Sequence, residues 1–274
     1  MSALEVLNTW PVPTAAAAVI GTTGVLATHG DIDRRFRLAS VSKPLVARAV
    51  QVAVEEGAVE LDTPAGPPGA TVRHLLAHAS GLAMLDDKVI AKPGTRRVYS
   101  NTGFAVLAEV VQDATGIDFG TYLTESVFEP LGMTESTLQG GAAAAGFGGT
   151  STVTDLTVFA GDLLTPQLVS ADMHTDAIAV QFPGLNGVLP GYGAQRPNDW
   201  GLGFELRATK DPHWTSPQNS PATFGHFGQS GTFLWVDPVV KLALVVLTDW
   251  DFGEWAHPLW PEISGEVLRE FGAD

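Results

Sequence analysis

The hydrophobic pattern changes character twice along the 274 residues. Residues 2–10 set Leu4, Val6 and Leu7 among polar neighbours and predict a short amphipathic helix. "TAAAAVIG" and "GVLATHG" then flank a Gly-Thr-Thr-Gly turn, the pattern of a hairpin. From Val41 to Glu56, Leu45, Val46, Ala49, Val50, Ala53 and Val54 recur at helical spacing, and Gly57 supplies a stop. Pro44 falls in the first turn, where a missing N–H costs little. The middle of the chain reads mostly helical. "TVRHLLAHA" predicts a short helix, and "NTGFAVLAEVVQDATG" a longer one from an Asn N-cap to a terminal glycine. "DFGTYLTESVFEPLG" and "STVTDLTVFAGDLL" follow. Beyond about residue 200, "WGLGFELR", "FGHFGQSGTFLWVD" and "KLALVVLTDW" are strand-like, and "PEISGEVLREFG" closes with a helix. Two strands at the start and three at the end predict an α/β (α+β) fold, with one antiparallel sheet completed by both termini and a helical lobe beside it. The expected division of the single domain 1–274 is an α/β lobe at about 1–60 and 200–274 and a helical lobe at about 61–199.

Composition narrows the partners. With 45% hydrophobic and 16% charged residues the chain can bury a sizeable core. Fifteen basic against 30 acidic residues give a net charge of −15, which repels phosphate backbones and anionic lipid. Nucleic acid and membrane are therefore not expected partners; a small molecule is. The absence of cysteine removes disulfides, thiol nucleophiles and thiolate metal sites. The N-terminal stretch has no basic start and no run long enough to span a bilayer, so a cytoplasmic location is expected.

Candidate chemistry begins at "RLASVSKPLV". Ser40 and Lys43, three apart at the opening of a helix, face the same way. Ser40 is a usable nucleophile only with a group to take its proton, and Lys43 can take it only if its environment lowers its pKa from about 10.4 by roughly three units. Taken alone, the pair is equally an ordinary serine and a solvated lysine. A second element, "YSN", puts Tyr99 and Asn101 just before a helix. It reads either as a packed tyrosine before a cap, or as a phenol whose pKa an ammonium lowers, with an amide for a substrate carbonyl. A third, "GHFGQSGTF", leaves one strand edge bare, as a bulged strand or as an edge for a ligand.

In the order Ser-x-x-Lys, Tyr-x-Asn, His-x-Gly, the chain resembles the serine β-lactamase and penicillin-binding-protein superfamily. It is most similar to the branch that holds class C β-lactamases, D-alanyl-D-alanine carboxypeptidases and β-lactamase-like esterases. "TVRHLLAHASGL", "PGTRRVYSNTGFAVLAEVVQDATG", "YLTESVFEPLGMTEST" and "GHFGQSGTFLWVDPVVKLALVVLTD" carry the likeness. The resemblance implies a β-lactamase-like fold and a serine hydrolase. Ser40 would be acylated, Lys43 and Tyr99 would move protons as a coupled pair, and Asn101 would bond a substrate amide or Lys43. The N–H groups of Ser40 and Gln229, the latter following His226 and Gly228, would form an oxyanion hole. The substrates implied are esters, amides or β-lactams.

Two departures bear on substrate. His226-Phe227-Gly228 stands where many relatives carry Lys-Thr-Gly, so a permanent cation becomes a histidine and a hydroxyl becomes a phenyl ring. Esterase activity on small acyl esters is the expectation, with β-lactamase or carboxypeptidase activity, or a non-catalytic binding module, as alternatives. Compact loops imply an open cleft, and Trp235 or Trp250 are candidates to line it. His74 and His78 are four apart on a helix, but no carboxylate or cysteine lies nearby in sequence; no metal and no cofactor are expected. If His226 is a weakened carboxylate anchor, turnover of carboxylate-bearing substrates should improve towards pH 6 relative to neutral esters.

Overall fold

Strand alternation sets the architecture. In the computed structural model, which describes residues 2–272, β1 (Ala15–Gly21) pairs with β2 (Gly24–His29) as the predicted hairpin. On its other side β1 pairs antiparallel with β6 (Leu242–Thr248). The remaining strands are β3 (Glu205–Leu206), β4 (Phe224–Gly228) and β5 (Thr232–Asp237), and the six run in the order β2-β1-β6-β5-β4-β3. Both termini thus build one sheet, as the pattern predicts. The C-terminal part supplies four strands where three were expected, because Gln229–Gly231 turns "FGHFGQSGTFLWVD" back on itself. Gly231 takes a left-handed φ of +74° at that turn, and a Cβ there would lie 2.0 Å from the Trp250 carbonyl oxygen.

Both faces of the sheet are covered, so its central strands read as continuous apolar runs. Ala16, Ala18, Ile20, Leu234, Val236 and Val245 face one core, shared with Leu45, Val46 and Val50 of α1 (Ser42–Glu55). Ala17, Val19, Phe233, Trp235, Leu244 and Val246 face the other, against Leu4 and Leu7 of the N-terminal helical turn and Trp260, Ile263 and Val267 of the C-terminal helix, Ala256–Phe271. Burial at about 25 cal/mol per Å² on two faces makes this sheet the rigid floor of the molecule.

Residues 61–199 carry the helices α2 (Val72–Leu76), α3 (Asn101–Thr115) and α4 (Val153–Leu164), together with two short sheets. One joins Phe36–Arg37, Gly149–Ser151 and Thr137–Leu138; the other is the hairpin Gly187–Leu189 with Gly193–Gln195. α4 packs back across β1 and β6, and its Asp162 meets Arg48 of α1 at 3.1 Å with both side chains fully buried. Asp162 also accepts the N–H groups of Gln167 and Leu168 at 2.8 and 3.0 Å. That pair locks α1, and with it the start of the helix, against the sheet.

The β4–β5 hairpin is fastened to the segment before α1. Ser230 Oγ donates to the Arg37 carbonyl at 2.7 Å, and Thr232 Oγ1 donates to the Leu38 carbonyl at 2.9 Å. Gly228 permits this approach, because a Cβ there would stand 2.3 Å from Leu38 O and 2.6 Å from Thr232 Oγ1. Gly228→Ala is expected to lower the free energy of unfolding by about 1–3 kcal/mol in urea titration. An unchanged midpoint would show that the hairpin is not held there.

Candidate active site

Ser40 follows a strained residue. The preceding Ala39 has φ +46°, a left-handed conformation that costs a non-glycine residue about 1–3 kcal/mol. Bonds on either side hold it. Leu38 N–H donates to the Gly149 carbonyl at 2.9 Å, Ser42 Oγ donates to the Ala39 carbonyl at 2.6 Å, and Gly149 N–H donates to Ser42 Oγ at 2.8 Å. α1 then starts, and Lys43 in its first turn is fully buried.

The second element comes from the loop before α3. Ser100, not Asn101, caps that helix: its Oγ accepts the Gly103 N–H at 2.9 Å. The one-residue shift releases the Asn101 side chain, which turns to Lys43. His78, buried with φ +53°, accepts the Ser100 N–H on Nδ1 at 3.2 Å, and its ring lies 4.6 Å from that of Tyr99. His74 instead meets Thr71 Oγ1 at 2.9 Å, so the two histidines serve separate contacts.

The three groups converge. Tyr99 Oη donates to Ser40 Oγ at 2.7 Å, and Lys43 Nζ lies 3.3 Å from the same oxygen. Lys43 Nζ also donates to Asn101 Oδ1 at 2.6 Å and to the Gly146 carbonyl at 2.7 Å. No carboxylate pairs with Lys43 among the described residues, and burial lowers its pKa well below the ordinary lysine value. Tyr99 differs from expectation. The ammonium was to lower its pKa, but Lys43 lies over the ring face, 4.5 Å from the centroid, and burial of the phenol raises its pKa instead, opposed by the bond to Ser40. Burial thus disfavours the charged form of both the amine and the phenol.

His226 on β4 also departs from expectation. Burial and the neighbouring Lys43 push its pKa down to about 3, with Nδ1 2.6 Å from the Phe227 carbonyl and Nε2 3.5 Å from Tyr99 Oη. An imidazole held neutral far below pH 6 is no titrating anchor for a carboxylate near neutrality. The Phe227 ring packs 5.2 Å from Phe252 and 5.7 Å from Trp260. Gln229 lines the same cavity as Ser40, and the N–H groups of the two residues have no hydrogen-bond partner among the described residues. Gly228 brings that turn up to Leu38, as described above.

Ser40, Tyr99, His226 and Gln229 line an inner cavity of about 70 Å³ with Met84, Leu189, Pro190, Trp200, Glu205 and Phe227. The cavity is narrow at the serine, where the loop carrying Met84 and the Gly187–Gln195 hairpin supply part of its wall. Trp235 is fully buried beneath the sheet, donating to Ser264 Oγ at 3.0 Å, and Trp250 is exposed; neither lines the cavity, whereas Trp200 does. Sequence reasoning also missed Gly146, whose carbonyl holds Lys43, and Glu205. Burial pushes the Glu205 pKa up, but Lys210 and His213 outweigh it and hold the carboxylate at about 2. Its partners include His213 Nε2 and Trp214 Nε1, each at 2.9 Å, and Lys210. None of these has a spacing that marks it in the sequence.

A family model described as Beta-lactamase matches residues 9–267. The chain is 72% identical to a crystal structure described as a beta-lactamase from Mycobacterium bovis, covering 99% of this chain and 100% of that one with a TM-score of 0.99. It is 31% identical over 134 residues to "Penicillin-binding protein 4*" of Bacillus subtilis, covering 37% of this chain and 30% of that protein. Over 181 residues it is 28% identical to "Esterase EstB" of Burkholderia gladioli, covering 42% of this chain and 46% of that protein. The matches thus span less than half the length of these two curated relatives. The fold is β-lactamase-like.

The buried histidines predict a pH dependence of stability. His78 and His226 are neutral in the fold and regain an ordinary value of 6.5 when unfolded. Below pH 6.5 the unfolded chain binds the extra protons, so stability falls as pH drops, by up to about 1.4 kcal/mol per pH unit for each group. Urea midpoints should decline from pH 6.5 towards 4, and His226→Gln should decline less steeply; coincident slopes would remove His226 from the balance.

Proposed function

The chain belongs to the beta-lactamase family, and we propose that it is a serine hydrolase working through an acyl-enzyme on Ser40, with small acyl esters as substrates. The observation that carries this reading is the setting of one oxygen: Ser40 Oγ lies 2.7 Å from the Tyr99 phenol and 3.3 Å from a buried lysine with no counter-charge among the described residues. Burial disfavours the Lys43 ammonium, and the neutral amine has two N–H groups for Asn101 and Gly146 and a lone pair for Ser40.

Ser40 Oγ attacks the ester carbonyl carbon while its proton passes to Lys43. The carbonyl oxygen takes the negative charge and receives the N–H groups of Ser40 and Gln229. The bond from carbon to the alcohol oxygen then breaks, and the departing alkoxide takes its proton from the Lys43–Tyr99 pair. Water repeats the sequence on the Ser40 ester, yielding the acid and restoring the serine. A cavity of about 70 Å³ holds roughly five water-sized groups, which fits an acyl chain of a few carbons. With His226 neutral, no titrating cation at the β4 position meets a carboxylate beside the scissile bond, which favours esters over penicillins or D-alanyl peptides.

Hydrolysis of p-nitrophenyl acetate with an acyl adduct on Ser40 is the expected result, lost in Ser40→Ala. Tyr99→Phe should lower kcat by about 10²–10³. Because the neutral amine is the active form, kcat/KM should rise with pH through an ionisation well below the ordinary lysine value of 10.5. It should hold to pH 10, since the phenol stays protonated there, with no separate step near 6.5 for carboxylate-bearing esters. Absence of turnover and of adduct with both this ester and a chromogenic cephalosporin would leave a binding module.

A further inference from the structure

The inner cavity shares a wall with one outer groove, and that groove with a second, and the chemistry of both differs from the rest of the surface. The first, about 240 Å³, shares Met84, Tyr99 and Pro190 with the inner cavity and adds Ile90, Arg96 and Val188. It continues past Arg96 and Val188 into a second of about 410 Å³, which Arg196 also lines. No carboxylate lines either groove, although the chain carries 30 acidic residues.

The two loops that frame this mouth are apolar and cationic together. Met84, Leu85, Val89, Ile90 and Val188 are each more than 40% exposed, side by side on loop and hairpin. Lys88, Lys92, Arg96 and Arg196 are exposed on the same two segments, and none pairs with a carboxylate. Among the described residues the only other exposed cation without an ion pair is Lys241, on the turn between β5 and β6. Asp86 and Asp87 lie on the outer loop, where Asp86 Oδ1 accepts the Lys88 N–H at 3.0 Å, and neither lines a groove.

We infer that this mouth binds the alcohol portion of the substrate, and that this portion is an apolar group bearing an anion, such as a carboxylate, sulfonate or phosphate, that reaches Arg96 and Arg196. The inference rests on the acyl-enzyme reading for its division of labour. The short acyl group stays in the inner cavity at Ser40. The leaving group, which takes its proton from the Lys43–Tyr99 pair, extends into the groove that shares Tyr99 but not Ser40. Anion recognition is thereby moved away from His226, where no charge is held, to two guanidinium groups at the rim.

The test compares 2-naphthyl acetate with 6-acetoxynaphthalene-2-sulfonate, the same ring with and without an anion. The sulfonate should show the lower KM at low salt, with the two values converging at about 0.5 M salt. In Arg96→Gln/Arg196→Gln the ratio of the sulfonate KM to the neutral KM should rise about fivefold. Binding of the product, 6-hydroxynaphthalene-2-sulfonate, to Ser40→Ala by calorimetry gives a readout without turnover, and should exceed that of 2-naphthol. Equal binding of the two naphthols, unaltered by the arginine substitutions, would overturn the anionic mouth. Loss of all turnover with no Ser40 adduct would overturn the hydrolase reading alone, since naphthol binding still reports on the mouth.

Discussion

The burial of Lys43 with no carboxylate beside it among the described residues is the constraint on which the rest of the site turns. A lysine at the surface would be charged and of no use to a serine as a base. Here the first turn of α1 carries it beneath Tyr99 and Phe104, and the polar atoms it meets are neutral: Asn101 Oδ1, the Gly146 carbonyl and Ser40 Oγ. Desolvation disfavours the charged form, and the three partners match an amine with two hydrogens and a lone pair. A carboxylate in place of Asn101 would restore the charge.

The rest of the fold keeps that arrangement from relaxing. Ala39 is held in a left-handed conformation by bonds on both sides, and His78, itself left-handed, fixes the backbone that carries Tyr99. The β4–β5 hairpin is fastened to Arg37 and Leu38 by two hydroxyl bonds, which brings the Gln229 turn to the serine. Strain at Ala39, beside Ser40, is tolerated because two packed sheet faces and a buried Arg48–Asp162 pair over-determine its surroundings.

Two electrostatic environments follow within one cleft. Around Ser40 burial disfavours the charged forms of Lys43 and His226, and among the described residues the carboxylate on the cavity wall, Glu205, is taken up by Lys210, His213 and Trp214. At the rim, Lys88, Lys92, Arg96 and Arg196 are exposed and form no ion pair among the described residues.

Local pattern determined a good deal. The hairpin at 15–29, the helix after Ser40 and the helix at 101–115 were legible because amphipathic period and turn residues act over a few neighbours. The order Ser-x-x-Lys, Tyr-x-Asn, His-x-Gly marked the residues that the fold gathers around one oxygen. What the sequence could not carry was environment. Nothing near Lys43 says that Gly146, a hundred residues on, supplies a carbonyl, or that Tyr99 is buried deeply enough for its pKa to rise and not fall. His226 reads as a titrating group and becomes a neutral one, and Asn101 reads as a cap until Ser100 takes that role. Trp200 and Glu205 reach the cavity wall only through long-range packing. Residue identity and short-range spacing are properties of the chain, whereas desolvation and hydrogen-bond partnership depend on which distant segments close over a group, and that is fixed only when the whole chain packs.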